Sequence, residues 1–230
     1  MIKAIIFDFD GTISNRQINA YNIFNEYLKP YFTDFTDMEY EAMLQDFLTY
    51  DCNGTINVKF RLKPFMNKYS KDNRFPENFE QQFTDYYYEN MWTTVEPKQE
   101  TIEVLEKLYG HFKLAILSNG QSKSQHDKID HVGVTKYFDD IMVSGDIGIN
   151  KPDKRIFEIM ANRLSVKCSE CLFVGDVFSS DILGALRAEM IPVWLTTDYE
   201  RPARYYSGYR IGNLNELFEI IAKENSKKKH

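Results

Sequence analysis

The sequence predicts an α/β protein with a mostly parallel sheet and a helical domain inserted after the first strand. Three observations lead to this prediction. Short apolar runs of strand length recur along the chain, segments with helical spacing of apolar residues lie between them, and one long stretch near the N-terminus lacks any strand pattern. Strands that alternate with helices form parallel sheets through right-handed crossovers.

Five apolar runs have the length of strands and lack helical spacing. In chain order they are Lys3–Asp8, Lys113–Ser118, Ile141–Ser144, Cys171–Gly175 and Ile191–Leu195. Apolar residues three or four apart predict helices around 102–108, 156–164, 182–186 and 214–221. A further helix, predicted over 121–131, is more polar than expected for a helix that packs on a sheet.

No strand pattern occurs between Asn15 and Trp92, and this segment is rich in aromatic residues, several of them at helical spacing. We therefore predict a helical cap domain over 15–92 and a catalytic core over 1–14 and 93–230. The aromatic residues are expected to pack a core of their own, and a share of the rings to line a cleft.

The composition is that of an ordinary globular protein, with 43% apolar and 27% charged residues in a chain of 230. A formal net charge of −6 argues against binding of a nucleic-acid polymer through a general basic field. The first apolar run is too short for a signal peptide or a membrane span, so we expect a cytoplasmic protein without a membrane partner. We expect a monomer or a weak homodimer. The three cysteines do not form a disulfide framework.

Polar residues follow four of the predicted strands at their carboxyl ends, where ligands bind in open parallel sheets. Each of them alone has an ordinary structural explanation, such as capping a helix or forming a turn. Together they predict one polar site at this edge of the sheet. They are Asp8 at the end of the first run and Asp10 just after it, Ser118 at the end of the second run and Asn119 just after it, Lys151 in the loop after the third, and Asp176 and Asp181 after the fourth.

The residue types at this edge suit phosphoryl transfer. Asp8 and Asp10 lie two positions apart, so in extended backbone their side chains point the same way. Paired carboxylates repel, and a divalent cation would keep Asp8 ionised as a nucleophile while Asp10 works as general acid and base. Asp176 completes an all-oxygen environment, which suits Mg²⁺. The Ser118 hydroxyl and the Lys151 ammonium would hold and neutralise phosphoryl oxygens.

Four motifs of the chain resemble those of the haloacid dehalogenase superfamily, most of whose members are phosphohydrolases. They are DFDGT at 8–12, LSNG at 117–120, KPD at 151–153 and VGDVFSSD at 174–181. The fold that the resemblance implies covers nearly the whole chain. It is a Rossmann-like, three-layer core with a parallel sheet and a helical cap inserted between the first and second motifs.

The resemblance also implies a role for each matching residue. Asp8 is the nucleophile that forms an aspartyl-phosphate, and Asp10 protonates the leaving oxygen and then activates water. Ser118 and Asn119 bind the phosphoryl oxygens. Lys151 steadies both the nucleophile and the transferring group.

The same resemblance implies a Mg²⁺ cofactor. The ion is held by the carboxylate of Asp8, the backbone carbonyl of Asp10 and the side chain of Asp176. Asp181 orders the metal site either from the second layer of residues or through a water molecule.

One position departs from the family pattern. The family usually has glycine at the end of the helix after the fourth motif, where this chain has Glu189. A left-handed backbone at a residue with a side chain costs about 1 kcal/mol.

The acid at position 10 favours a phosphatase over a dehalogenase, because an alkoxide leaving group needs a proton and a halide does not. The leading hypothesis is a Mg²⁺-dependent phosphomonoester hydrolase acting on a small phosphorylated metabolite. Segments 133–157 and 179–188 are similar to family members that dephosphorylate nucleoside monophosphates. The alternatives are a phosphomutase or phosphotransferase with the same covalent chemistry, a 2-haloacid dehalogenase, and a non-catalytic binding protein.

Overall fold

The structure is a computed structural model that describes residues 1–51, 58–196 and 203–227, and of Lys59 and Asp72 only the backbone. The chain divides into two compact units. The core unit comprises Met1–Ser14 and Pro97–His230, and the helical unit comprises Asn15–Glu96.

The strands and helices alternate in the core unit, whereas the helical unit contains helices in its described part. The strands are β1 (Ala4–Phe7), β2 (Lys113–Ser118), β3 (Asp140–Val143), β4 (Cys171–Gly175), β5 (Ile191–Leu195) and β6 (Tyr209–Ile211). The α-helices of the described residues are α1 (Arg16–Leu28), α2 (Asp37–Asp51), α3 (Val58–Tyr69), α4 (Phe79–Asn90), α5 (Thr101–Leu108), α6 (Ser122–Val132), α7 (Ser144–Ile147), α8 (Lys154–Arg163), α9 (Leu183–Arg187) and α10 (Leu217–Lys227). Within the described ranges, no helix is both long enough and apolar enough to cross a bilayer.

The six strands form one parallel sheet in the order β3-β2-β1-β4-β5-β6. This confirms the predicted α/β class with a parallel sheet. The sequence pattern predicts the first five strands and misses β6, because β6 has three residues and two of them are polar or half-buried. So short an edge strand lacks the apolar run that marks the other five.

The central strand β1 is buried on both faces, as expected for a parallel sheet covered by helices. Ala4 and Ile6 lie in one cluster with Phe157 and Met160 of α8 and with residues of α9. Because alternate side chains point to opposite faces, Ile5 and Phe7 lie on the other face, and both are fully buried there.

The strand order reverses beside β1, whose neighbours are β2 and β4. Phe7 is in register with Ile116 of β2 and with Val174 of β4. The carboxyl ends of these three strands therefore lie side by side at the topological switch point, where open α/β sheets bind ligands.

The helical unit is packed around aromatic rings. Its buried cluster contains Phe24 of α1, Phe47 of α2, Phe65 of α3 and Phe83 of α4, so every α-helix in the described part of the unit contributes a ring. The rings of Phe24 and Phe47 have centroids 3.9 Å apart. These aromatic residues form the internal core that their helical spacing predicts. The turn expected at Asn53-Gly54 lies outside the described residues.

Helix α9 ends in a left-handed residue. Glu189 has φ of 59°, which is the conformation that glycine adopts without strain. The expected departure from the family's glycine is therefore present in the backbone, and Glu189 carries its strain.

Candidate active site

Asp8 directly follows β1 and is 6% exposed. Its backbone N–H donates to the Val174 carbonyl at 2.8 Å, which continues the β1–β4 pairing by one residue. Burial raises the pKa of Asp8 to about 7, although the neighbouring Lys151 acts to lower it. Burial therefore disfavours the ionised form of the Asp8 carboxylate unless a positive charge lies beside it.

The turn after Asp8 brings backbone close to Asp176. Gly11 has φ of +86°, and a Cβ at this position would lie 2.4 Å from Oδ2 of Asp176. The N–H groups of Ile13 and Ser14 donate to the Phe9 carbonyl at 2.9 and 3.0 Å. Glycine is therefore required at position 11 by both the backbone angle and the close approach.

Lys151 lies between two carboxylates. Its Nζ donates to Oδ1 of Asp8 at 2.7 Å and forms an ion pair with Oδ1 of Asp181 at 2.8 Å. The lysine and Asp181 side chains are each 1% exposed. Burial acts to lower the pKa of Lys151, but the attraction of Asp181 and Asp8 outweighs it and the pKa is raised. Lys151 is therefore a fixed positive charge beside the Asp8 carboxylate.

One carboxylate oxygen from each of Asp8, Asp176 and Asp181 lies within 4.8 Å of the other two. Oδ1 of Asp176 is buried and has no hydrogen-bond partner in the part of the chain that the structure describes. Burial raises the pKa of Asp176 well above its ordinary value, and the charge of Asp8 raises it further. Three crowded carboxylates with one orphaned oxygen fit a hard divalent cation such as Mg²⁺. The side chain of Asp10 is not part of this cluster, and its backbone carbonyl as a ligand stays a prediction.

Asp10 is held by two side chains of α6. Nε2 of Gln125 donates to Oδ2 of Asp10 at 2.9 Å and to Oγ of Ser118 at 2.6 Å. The Nζ of Lys128 forms an ion pair with the same oxygen of Asp10. Lys128 is 1% exposed, whereas the Asp10 side chain is 27% exposed. Asp10 and Ser118, which are separated by more than a hundred residues in sequence, are thus joined through Gln125.

Asn119, in the loop that follows β2, is hydrogen-bonded to the backbone of Lys151 in the loop before α8. Its Nδ2 donates to the Lys151 carbonyl at 3.0 Å, and the Lys151 N–H donates to its Oδ1 at 2.8 Å. Both atoms of the side-chain amide are therefore used in fixing the backbone of Lys151. Direct binding of a phosphoryl group by Asn119 stays a prediction.

Sequence reasoning missed four residues of this site. Gln125 and Lys128 were signalled only by the polar character of α6, since polar side chains on a face that covers a sheet need polar partners. Trp194 of β5 donates from Nε1 to the Asp176 carbonyl at 3.0 Å. Burial lowers the pKa of Lys98, and the nearby Asp176 and Asp8 act to raise it. Neither Trp194 nor Lys98 has a sequence signal that separates it from a packing or surface residue.

Three relatives that are similar to this chain in sequence are a nucleotidase and two phosphatases. The pyrimidine 5'-nucleotidase YjjG of Escherichia coli is 30% identical over 55% of this chain and 57% of that protein. A glyceraldehyde 3-phosphate phosphatase of Methanopyrus kandleri is 34% identical over 46% of each chain. The chain spans about half the length of these two relatives. A glyceraldehyde 3-phosphate phosphatase of Methanocaldococcus jannaschii is 26% identical over 96% of this chain and 97% of that protein.

Solved structures share the fold. The HAD-hydrolase YfnB of Bacillus subtilis, solved with bound magnesium, has a TM-score of 0.78 at 22% identity, covering 96% of this chain and 98% of that chain. The L-2-haloacid dehalogenase of Xanthobacter autotrophicus has a TM-score of 0.70 at 19% identity, covering 97% and 99%. At sequence identities this low, the similarity to these two structures shows a shared fold.

A family model described as haloacid dehalogenase-like hydrolase matches residues 5–194. The matched segment is most of the chain and contains all the strand-end residues from Asp8 to Asp181. By this match, the chain belongs to the haloacid dehalogenase-like hydrolases.

Proposed function

We propose that this chain is a Mg²⁺-dependent phosphomonoester hydrolase that works through an aspartyl-phosphate on Asp8. The observation that carries the proposal is the pair of buried lysines at the two aspartates. Lys151 contacts Asp8, and Lys128 contacts Asp10, so that the two carboxylates pair with different cations. A nucleophile and an acid–base group with separate environments are what two-step phosphoryl transfer requires.

In the first step, a carboxylate oxygen of Asp8 attacks the phosphorus atom. A P–O bond forms to Asp8, and the P–O bond to the alcohol breaks. Asp10 gives its proton to the departing alkoxide oxygen. Lys151 and the Ser118 hydroxyl offset and orient the charge on the non-bridging oxygens.

In the second step, Asp10, now a carboxylate, takes a proton from water. The water oxygen attacks the phosphorus, and the bond to Asp8 breaks, which releases inorganic phosphate and regenerates the free Asp8 carboxylate. Lys128 and Gln125 hold Asp10 in one orientation for both proton transfers.

Asp8 and Asp176 are the side chains that would hold Mg²⁺, with Asp181 beside them. The ion would supply the positive charge that keeps both carboxylates ionised and that offsets phosphoryl charge. Lys151 bonds to Asp8 at 2.7 Å and supplies a positive charge from the chain itself.

The proposed substrates are small phosphorylated metabolites, among them nucleoside monophosphates. The nucleotidase and phosphatase relatives support this class, and the acid at position 10 supports an oxygen leaving group over a halide. A phosphomutase would use the same aspartyl-phosphate and differ only in the final acceptor.

The test is a screen of nucleoside monophosphates and sugar phosphates, with Mg²⁺ and with a chelator. We expect phosphate release that needs the metal and that is lost in Asp8→Asn. Asp127→Asn is the matched control, because Asp127 lies on α6 and pairs with the exposed Lys123. Mass spectrometry of the quenched enzyme should find the phosphoryl group on the peptide that contains Asp8.

Three results would contradict the proposal. Full turnover by Asp8→Asn excludes the covalent route. Formation of an isomeric sugar phosphate in place of inorganic phosphate favours the mutase. Absence of turnover on every phosphomonoester, with or without metal, favours a binding protein.

A further inference from the structure

The helical unit buries a polar cluster inside its aromatic core. Arg16 at the start of α1, Asp51 at the end of α2, Arg61 of α3 and Tyr87 of α4 are between 3% and 5% exposed. All four α-helices of the described part of this unit thus contribute one polar side chain to the same place. The catalytic scheme above uses none of them.

The carboxylate of Asp51 contacts both arginines. Nη2 of Arg16 donates to the two oxygens of Asp51 at 3.1 and 3.0 Å and to the Tyr87 hydroxyl at 3.1 Å. Nη1 of Arg61 forms an ion pair with Oδ1 of Asp51. The Arg61 guanidinium also lies 5.3 Å from the centre of the Tyr87 ring. The two positive charges are therefore gathered around one negative charge.

The cluster has a surplus positive charge and unused donors. Two guanidinium groups and one carboxylate leave a net charge of +1 among these side chains. Nη1 of Arg16 and Nε of Arg61 are buried and lack a hydrogen-bond partner among the described residues. Burial lowers the pKa of Arg61, and the charge of Arg16 lowers it further. A buried charge and buried donors without partners are both unfavourable, which indicates a missing acceptor of negative charge.

We propose that Arg16 and Arg61 form a binding site for a small oxyanion, a carboxylate or a phosphate, within the helical unit. Planar guanidinium donors match the paired oxygens of these groups, and one such anion would balance the surplus charge. A purely structural ion-pair cluster would need no added anion, and the measurements below separate the two.

The experiment follows the unfolding temperature of the full chain, in the presence of a chelator and at constant ionic strength, as inorganic phosphate or malonate replaces chloride. At about ten times the Kd we expect a rise of about 3–6 °C in the wild type. The rise should disappear in Arg16→Gln and in Arg61→Gln, and should persist or grow in Asp51→Asn, which removes the competing carboxylate.

Lys63→Gln is the matched control, because Lys63 is an exposed cation two positions from Arg61 on the same helix. Any anion that binds at the core unit contributes equally to all of these proteins. If Arg61→Gln does not fold, Arg61→Lys keeps the charge, removes the Nε donor, and should show a smaller rise. An equal rise in the wild type and in the folded arginine variants, or no rise in the wild type, would overturn the proposal.

Discussion

The core unit and the helical unit bury charged side chains by different means. In the core unit, Asp8 lies at the end of a strand, and Lys151 bonds to it and to Asp181 at 2.7 and 2.8 Å. In the helical unit, Arg16 and Arg61 share the single carboxylate of Asp51. In a parallel sheet, the carboxyl ends of neighbouring strands lie at the same edge, so polar residues that follow the strands come together there. The cluster in the helical unit forms only when four helices pack against one another. Substitutions in the two units should therefore differ in whether they change activity or stability.

The largest expected effect is on the aromatic core of the helical unit. Phe47 is fully buried, and its ring lies 4.6 Å from that of Phe65 and 5.7 Å from that of Phe83. Phe47→Ala should lower the free energy of unfolding by about 3–5 kcal/mol, because it leaves a cavity. Phe60→Ala is the control, since Phe60 is 67% exposed and its removal should change stability by about 0.5 kcal/mol or less. Urea unfolding measures both, and equal losses would show that the rings of this unit do not form a packed core.

The next effect concerns catalysis in the core unit. Lys128→Met removes the ammonium that contacts Asp10 and keeps much of the side-chain volume. We expect kcat to fall on the order of 10²-fold, because Asp10 is no longer held in position. Lys123→Met is the control, since the Lys123 side chain is 88% exposed on the same helix. Initial rates of phosphate release, with unfolding temperatures measured in parallel, test this. A loss of stability with unchanged kcat would make Lys128 a structural residue only.

The third prediction concerns pH in the metal-free protein. The pKa of Asp8 is raised from 3.8 to about 7 on folding, so the folded state binds this proton more tightly than the unfolded state. The resulting stabilisation is complete below about pH 4 and is lost as the pH rises towards 7, with a slope of about 1.4 kcal/mol per pH unit.

Urea unfolding with a chelator, between pH 4.5 and 7.5, measures this slope as the difference in stability between the wild type and Asp8→Asn. The wild type should lose stability relative to the variant as the pH rises. Added Mg²⁺ should reduce the slope, because it favours the ionised carboxylates. A difference that is constant with pH would mean that Asp8 keeps its ordinary pKa in the folded protein.

The smallest expected effect is at the end of α9. Glu189→Gly should raise the free energy of unfolding by about 1 kcal/mol, because glycine adopts a positive φ without strain. Glu189→Ala keeps the Cβ and should give no such gain. Urea unfolding of the two variants compares them directly, and an equal gain in both would assign the effect to the lost charge.

The sequence predicts the core unit better than the helical unit, for physical reasons. Each buried strand is a continuous apolar run, and the residue that ends the run must lie at one edge of the sheet. Asp8, Ser118 and Asp176 could thus be placed together although they are far apart in the chain. Gln125 and Lys128 could not be assigned to the site in this way. The position of a residue in a helix predicts the face on which it lies, but not which residue it contacts there.

In the helical unit, aromatic spacing predicts helices with a shared core, and the structure contains them. The same spacing does not predict that Arg16, Asp51 and Arg61 meet. Their meeting depends on the lengths and crossing of three helices, which no local pattern encodes. Buried charges in such a unit are visible only after the packing is known.

The side-chain amide of Asn119 makes two bonds to the backbone of Lys151. These bonds tie the backbone that follows β2 to the backbone of Lys151, whose ammonium bonds to Asp8 at 2.7 Å. One amide side chain thus connects the end of β2 to the cation beside the residue that follows β1. Under the proposed function, the same side chain would couple contact with a phosphoryl oxygen after β2 to the position of the Asp8 carboxylate.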